Sequence, residues 1–451
     1  FNNGNNNGTP IRDVFWSFTP QTKAQLQTAV NEWVKPSSDS SKNPDAYFGR
    51  DITIWNTALI TNMSNLFNGK TTFNDDIGNW NTSNVANMEA MFANTVIFNQ
   101  DIRTKVVNNV NGPYTAWNTS NVTNMGAMFS SALAFNRNIG NWNTSKVARM
   151  NSMFSSTNSF NQDIGNWDVS SVEVSSDMFN GNAAFNKDIG NWKWDPAKLT
   201  SMGQMFINAT AFMQDIRYWN VGSNVTVSNM FSGASAFSTA YSGSIGYSTT
   251  PLTTFFNQFT DNGVTYYFTE DSNNAVTITS AVKSDGTSLS NYNLTIPSSF
   301  TVAGVVHTIR HLGTQSVAAF GTNGNDILTN LSSVTIPSTV RTFGSWTFRN
   351  ISSLTTVTFA GTSECTTFGT SAFNATGLIT FTLPASVTDM GTYCFYLTSS
   401  LNKFTFEGNS QCASIGTNAF HNTNIQSITI PDSITSIDAT SGGAFDQCSN
   451  L

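Results

Sequence analysis

Between about residue 50 and residue 240, one apolar pattern returns roughly every 25 positions. Trp stands at Trp55, Trp80, Trp117, Trp142, Trp167, Trp192 and Trp219, in steps of 25, 37, 25, 25, 25 and 27. A Leu/Met-Phe pair keeps step with it: Leu66-Phe67, Met91-Phe92, Met128-Phe129, Met153-Phe154, Met178-Phe179, Met205-Phe206 and Met230-Phe231. A second Phe follows six residues later, from Phe73 to Phe237, and an Ile four after that, from Ile77 to Ile216. Several apolar columns on one period indicate stacked coils. One unit cannot bury a Trp, an Ile, a Met and two Phe alone. Stacked on its copies it can, each buried large side chain contributing roughly 1.5–3 kcal/mol, mostly between nearest neighbours. The predicted core therefore includes Trp80, Trp142, Trp167, Phe92, Phe129, Phe154, Phe179 and Phe206.

Within a unit, the alternating, β-branched Asn121–Met125 reads as a short strand. Met125–Phe129 has the apolar spacing of one helical or 3-10 turn. The return is turn-rich, with Gly78, Gly140, Gly165 and Gly190 at its bend. Upstream, Thr22 and Gln25 make a capping box, and Leu26, Val30, Trp33 and Val34 share a helical face that would cover the first coil. Twelve residues inserted around Arg103 to Tyr114, and two near Trp194-Asp195-Pro196, would bulge from an edge as candidate binding loops. Beyond Phe237 the pattern fades through Ser238–Thr250, and Pro251–Phe256 reads as a closing coil. Val264–Phe268 and Ala275–Thr279 then read as strands of a transition hairpin.

A second repeat begins near Leu294. Ile/Leu-Pro recurs at Ile296, Ile336, Leu383 and Ile430, and Phe at Phe320, Phe348, Phe373, Phe395, Phe420 and Phe445. Ser333–Ile336 and Ile425–Ile430 read as strands ended by Pro, where no ladder bond is lost. The pattern is still running at Leu451, so the array is expected to continue further. The resulting plan is a linker at 1–10, a helical cap at 11–50 and a first array at 51–258. A transition hairpin at 259–293 and a second array at 294–451 follow.

These motifs resemble the BspA-like leucine-rich-repeat surface proteins. The first array resembles their 25-residue form, as in Phe160–Val169 followed by Ser170, Ser171 and Val172. Phe18–Leu26 resembles the unit that precedes such arrays, and Ile336–Phe348 the second, Ile-Pro form. The resemblance covers about nine tenths of the chain. Departures, such as Ser175 and Val227 for the first Met and Ala116 and Tyr218 for the Asn before Trp, loosen single coils. It implies a right-handed solenoid of the leucine-rich-repeat kind, mostly β and loop, on a secreted or cell-surface protein linked to adhesion, with no catalytic residues.

Composition agrees. Charged residues are 10% of the chain, against roughly 25% in an average protein. Hydrophobic residues are 39%, with 35 Phe, which separates this Asn-rich chain from disordered sequence. A net charge of −7 argues against nucleic acid and against a basic membrane-binding patch. No apolar run reaches the length of a membrane-spanning helix. The expected function is an extracellular or cell-surface adhesion or recognition scaffold, with a protein, a glycan or its own copies as partner. A structural subunit of an extracellular fibre, appendage or virion surface is the alternative, and a carbohydrate-active enzyme the remote one.

Candidate chemistry is sparse, and no cofactor is implied. His307, His311 and His421 read as exposed or half-buried strand residues. Cys365, Cys394, Cys412 and Cys448 lack zinc spacing and read as buried free thiols, with one or two disulfides as the alternative. Asp76, Asp101, Asp163, Asp188 and Asp215 form a column, Asn138 replacing Asp once. Each is expected to accept backbone N–H bonds in its own turn. A file of calcium ions along that edge is an alternative. A glycosidase needs two differently tuned acids, and a repeated column supplies equivalent ones. The neighbouring column from Asn74 to Asn186 is expected to stack as an amide ladder. Asn-x-Ser/Thr sequons, from Asn62 to Asn374, are glycosylation acceptors only where the source has that machinery.

Overall fold

The computed structural model describes residues 18–451 apart from 48, 109–111, 245, 253–254, 272–274, 284–291, 303–304, 315–318, 321–330 and 440–441. The expected linker at 1–10 and the first part of the cap lie outside the described residues. The chain forms two compact units, Phe1–Phe256 and Asn257–Leu451.

The first unit opens with helix α1 (Lys23–Trp33). The Thr22 hydroxyl accepts from the Gln25 N–H at its start. The Gln25 side chain reaches back one residue further than in a standard capping box, to the Gln21 N–H at 2.7 Å. Leu26, Ala29 and Val30 are its buried residues, and Gln27 donates to the Leu66 carbonyl in the first coil. The 12-residue insertion carries a small antiparallel hairpin of β1 (Lys105–Val107) and β2 (Tyr114–Ala116). At the far end, helix α2 (Ser235–Tyr241) and the segment through Phe255 close the stack. Phe255 packs edge-on against Phe231 and Phe237.

Between these caps the core is a set of ring ladders. Phe92, Phe129, Phe154, Phe179 and Phe206 are fully buried. Their successive centroids lie 5.5, 5.8, 5.7 and 5.6 Å apart with near-parallel planes. The second Phe column runs beside it, as in Phe135 to Phe160 at 6.0 Å. The Trp column stacks likewise, Trp117 on Trp142 at 6.0 Å. From Trp80 to Trp219, each indole N–H of the column also donates to an Ile carbonyl of the preceding coil, for example Trp142 to Ile102 and Trp167 to Ile139. The one polar atom of that ring is thereby satisfied inside an apolar core.

The expected strand contracts to one bridging residue per coil in this array. The parallel bridges run Asn62, Asn87, Asn124, Arg149, Val174, Ser201 and Thr226. The stretch after it is a run of β-turns where a helical turn was expected. The N–H groups of Ala127, Phe129 and Ser131 donate to Asn151, Met153 and Ser155 in the next coil, while Met128, Ser130 and Ala132 bond three residues back. A continuous 3-10 turn would aim every N–H along its own axis. Left-handed residues at Ala127 (φ 51°) and Ser131 (φ 58°) swing alternate N–H groups sideways instead.

The second unit begins with an antiparallel meander of β3 (Gln258–Asp261), β4 (Val264–Glu270) and β5 (Ala275–Lys283). Strands β6 (Tyr292–Thr295), β7 (Ser299–Val302) and β8 (Val305–Leu312) follow, β7 and β8 pairing antiparallel. The repeats then add β9 (Leu331–Ile336), β10 (Thr342–Phe343), β11 (Thr356–Phe359), β12 (Thr367–Phe368) and β13 (Thr380–Leu383). The last are β14 (Asp389–Met390), β15 (Lys403–Phe406), β16 (Ser414–Ile415) and β17 (Ser436–Ile437). Parallel pairing joins β5, β8, β10, β12, β14, β16 and β17 along one side, and β6–β9–β11 and β13–β15 along another. Ile425–Ile430 forms no strand. Phe348, Phe373, Phe395 and Phe420 are fully buried and stack in turn at 5.5, 5.3 and 5.6 Å.

Candidate functional site

The Asp column lies on an outer edge. The Oδ1 atoms of Asp76, Asp163 and Asp188 accept from the N–H of Gly78, Gly165 and Gly190 at 2.7, 3.0 and 2.9 Å. Asn138 does the same for Gly140 at 2.9 Å. Asp101 and Asp215 accept from Arg103 and Arg217, whose guanidiniums also pair with them at 3.1 and 2.8 Å. Glycine is required where the next coil crowds the bend. A Cβ at Gly78, Gly165 or Gly190 would meet the carbonyl oxygen of Asp101, Asp188 or Asp215 at 2.6–2.8 Å. Arg103, followed by the inserted hairpin, and Arg217, in the last Asp-bearing coil, stand at the same position. Among the described residues, no group of three or more His, Cys, Asp or Glu is placed to hold a metal ion.

The Asn column differs from the expected amide stack. Each side-chain oxygen accepts from the backbone N–H one coil on: Asn74 from Asn99, Asn99 from Asn136, Asn136 from Asn161 and Asn161 from Asn186, at 2.9–3.1 Å. The backbone is the nearer partner, because the return segment has no strand ladder to occupy its N–H groups.

His307 is buried, where an exposed or half-buried residue was expected. Its Nδ1 lies 2.7 Å from Glu270, and its ring stacks on Phe300. His311, half-buried, meets the Thr342 hydroxyl at 2.7 Å, and burial lowers its pKa. All four cysteines are free thiols. Burial pushes the Cys365 thiol up to about 12 and raises that of Cys394 further. A groove of about 430 Å³ between Lys403–Ser410 and Ser427–Pro431 mixes apolar Phe404, Phe406 and Pro431 with hydroxyl-bearing residues, Lys403 and Glu407 being its charged residues.

The turn ladder is the feature that the sequence reading missed, and both arrays carry it. Trp346 and Asn350 flank Phe348, Ser371 and Ala375 flank Phe373, Tyr393 and Leu397 flank Phe395, and Asn418 and Asn422 flank Phe420. All eight have φ between 52° and 63°. The same two positions flank each core Phe of the first array, where the left-handed residues before it are Asn65, Ala90, Ala127, Ser152, Asp177, Gln204 and Asn229. The first array puts small or polar residues there, whereas the second also admits Trp346, Tyr393 and Leu397. A left-handed residue two before and two after each core Phe was readable only once the backbone was known.

These rings and ladders define a repeat protein of the leucine-rich-repeat solenoid type, with a different kind of coil in each unit on one kind of turn ladder. The family described as "Mycoplasma protein of unknown function, DUF285" matches over residues 38–114, 103–193 and 193–274, just over half of the chain. Six copies of the "BspA type Leucine rich repeat region" match over residues 327–451. The chain belongs to the first of these families and is a BspA-like leucine-rich-repeat protein. No curated protein matches it. Among solved structures, the pneumococcal vaccine antigen PcpA is 24% identical with a TM-score of 0.35, over 42% of this chain and 47% of that one. A leucine rich cell surface protein from Faecalibacterium prausnitzii is 25% identical with a TM-score of 0.31, over 43% and 53%. The chain thus spans about half the length of each. A leucine-rich repeat protein from Eubacterium ventriosum is 16% identical with a TM-score of 0.27, over 73% and 81%.

Proposed function

We propose that this protein is an extracellular surface scaffold for adhesion or recognition, working by binding and not by catalysis. The observation that carries this reading is the stacked aromatic spine within each unit. Coil interiors are filled by stacked rings, so what the chain offers a partner is its outer turns and edges. Repetition supplies a long surface of nearly uncharged Asn, Ser and Thr, on which a few departures can specify a ligand. The repeat family favours a protein-binding role. The test is antibody labelling of intact source cells, with protease shaving as control, followed by blocking of cell attachment with the purified chain. Labelling lost on shaving and attachment reduced by the free chain are the expected results. Labelling only after permeabilisation would end the reading.

A further inference from the structure

The left-handed positions before the core Phe make one lane along the second array: Trp346, Ser371, Tyr393 and Asn418, one per coil. Their first-array counterparts are Asn, Ala, Ser, Asp and Gln. A left-handed backbone disfavours large side chains, and a bulky residue held there is an outlier that needs a reason. Core packing does not supply one. Tyr393 is 37% exposed, and Leu397, also left-handed, is 41% exposed. Trp346 is only partly buried. Beside the lane, Tyr393 meets Tyr396 edge-on at 5.4 Å, and Tyr396 stacks on His421 at 4.6 Å.

We infer that this lane binds an extended, uncharged β-linked glycan of the cellulose or chitin type. Three features select that chemistry. The lane carries partly exposed aromatic rings, Ser371 between them being buried, and the exposed Thr370 and Thr392 hydroxyls lie beside it in sequence, so it suits a ligand with apolar ring faces and hydroxyl edges. It is also narrow, a few side chains wide, whereas a stable protein interface takes roughly 20–30 residues a side. Finally, its two aromatic residues are two coils apart, with Ser371 between them. The core rings of those coils are spaced 5.5 and 5.3 Å, about one sugar ring per coil. In a β-linked glycan of this type alternate sugars turn the same face, so every second sugar meets a ring. An amylose-type chain coils and loses that register.

The inference deepens the recognition reading and rests on it. Its test is calorimetric titration of the full chain with cellohexaose, chitohexaose and maltohexaose. One β-linked hexaose is expected to bind, and maltohexaose to bind at least about tenfold more weakly. Tyr393→Asn and Trp346→Asn install the residue found at Asn418 and at Asn65 and Asn229 of the first array, so the fold is kept, as a thermal melt will check. Each should weaken binding by about tenfold, the scale of one aromatic contact. Leu133→Ala, in the first array, should leave it unchanged. No binding, preference for maltohexaose, or binding indifferent to both lane substitutions would overturn the glycan lane. None of these results would touch the intact-cell experiment, so the two readings fail separately.

Discussion

At Ala127, Ser152 and Asp177 the backbone stands at φ 51°, 57° and 59°. This costs an L-residue roughly 1–2 kcal/mol. The cost is sustained because each such residue lets two N–H groups find the next coil. Glycine has a different duty at the return bend, where the constraint is a neighbour's carbonyl. Gly165→Ala should destabilise the chain by about 1–3 kcal/mol in urea titration, since its Cβ would sit 2.7 Å from the Asp188 oxygen. Gly243→Ala, with nothing within 4 Å, should be silent. Asp163→Asn should also be silent, because Asn138 makes the same turn bond. Asp163→Ala should lose about 1 kcal/mol, the net worth of that bond. With its pKa raised to about 12, the Cys365 thiol stays protonated at pH 8. Mass spectrometry after brief maleimide treatment should find the half-buried Cys448 labelled before Cys365, Cys394 and Cys412.

At the scale of the element, one coil is a turn ladder, a bend and a Trp. The Phe columns were legible because a stacked ring requires a ring above and below, so residue type must repeat. The ladder was not, because Asn, Ala, Ser, Asp, Gln and Gly all serve at its left-handed positions and leave no single-letter signature. The Asn column was visible as a column, but its acceptor role depends on which backbone N–H groups lack strand partners. Trp167→Phe keeps a ring in the stack and removes one of the two bonds that the Ile139 carbonyl accepts, the Trp142 N–H remaining at 3.1 Å, so it should cost about 1 kcal/mol. Phe154→Ala removes a ring with neighbours at 5.8 and 5.7 Å on either side. It should cost about 3–5 kcal/mol, both read from urea midpoints.

For the whole molecule, each unit is a stack whose stability is a sum of coils and their contacts. Effects of distant substitutions should therefore add. Phe154→Ala should raise amide exchange within residues 18–256 and spare 331–439, while Phe395→Ala should do the reverse, as peptide-resolved hydrogen exchange would show. Exchange rising equally in both segments for either variant would mean that the two units found by contact unfold as one.

The amino-acid sequence alone determined the period, the stacked aromatic core and the change of repeat near Leu294. Those features rest on burying apolar side chains, and that demand is written in residue type. The tertiary structure alone decided which backbone groups the Asp and Asn columns satisfy, and that His307 sits buried against Glu270. It also decided that Trp346 and Tyr393 fall on one lane in a left-handed backbone. Those outcomes depend on φ and on the spacing between coils, to which many residue types conform equally well.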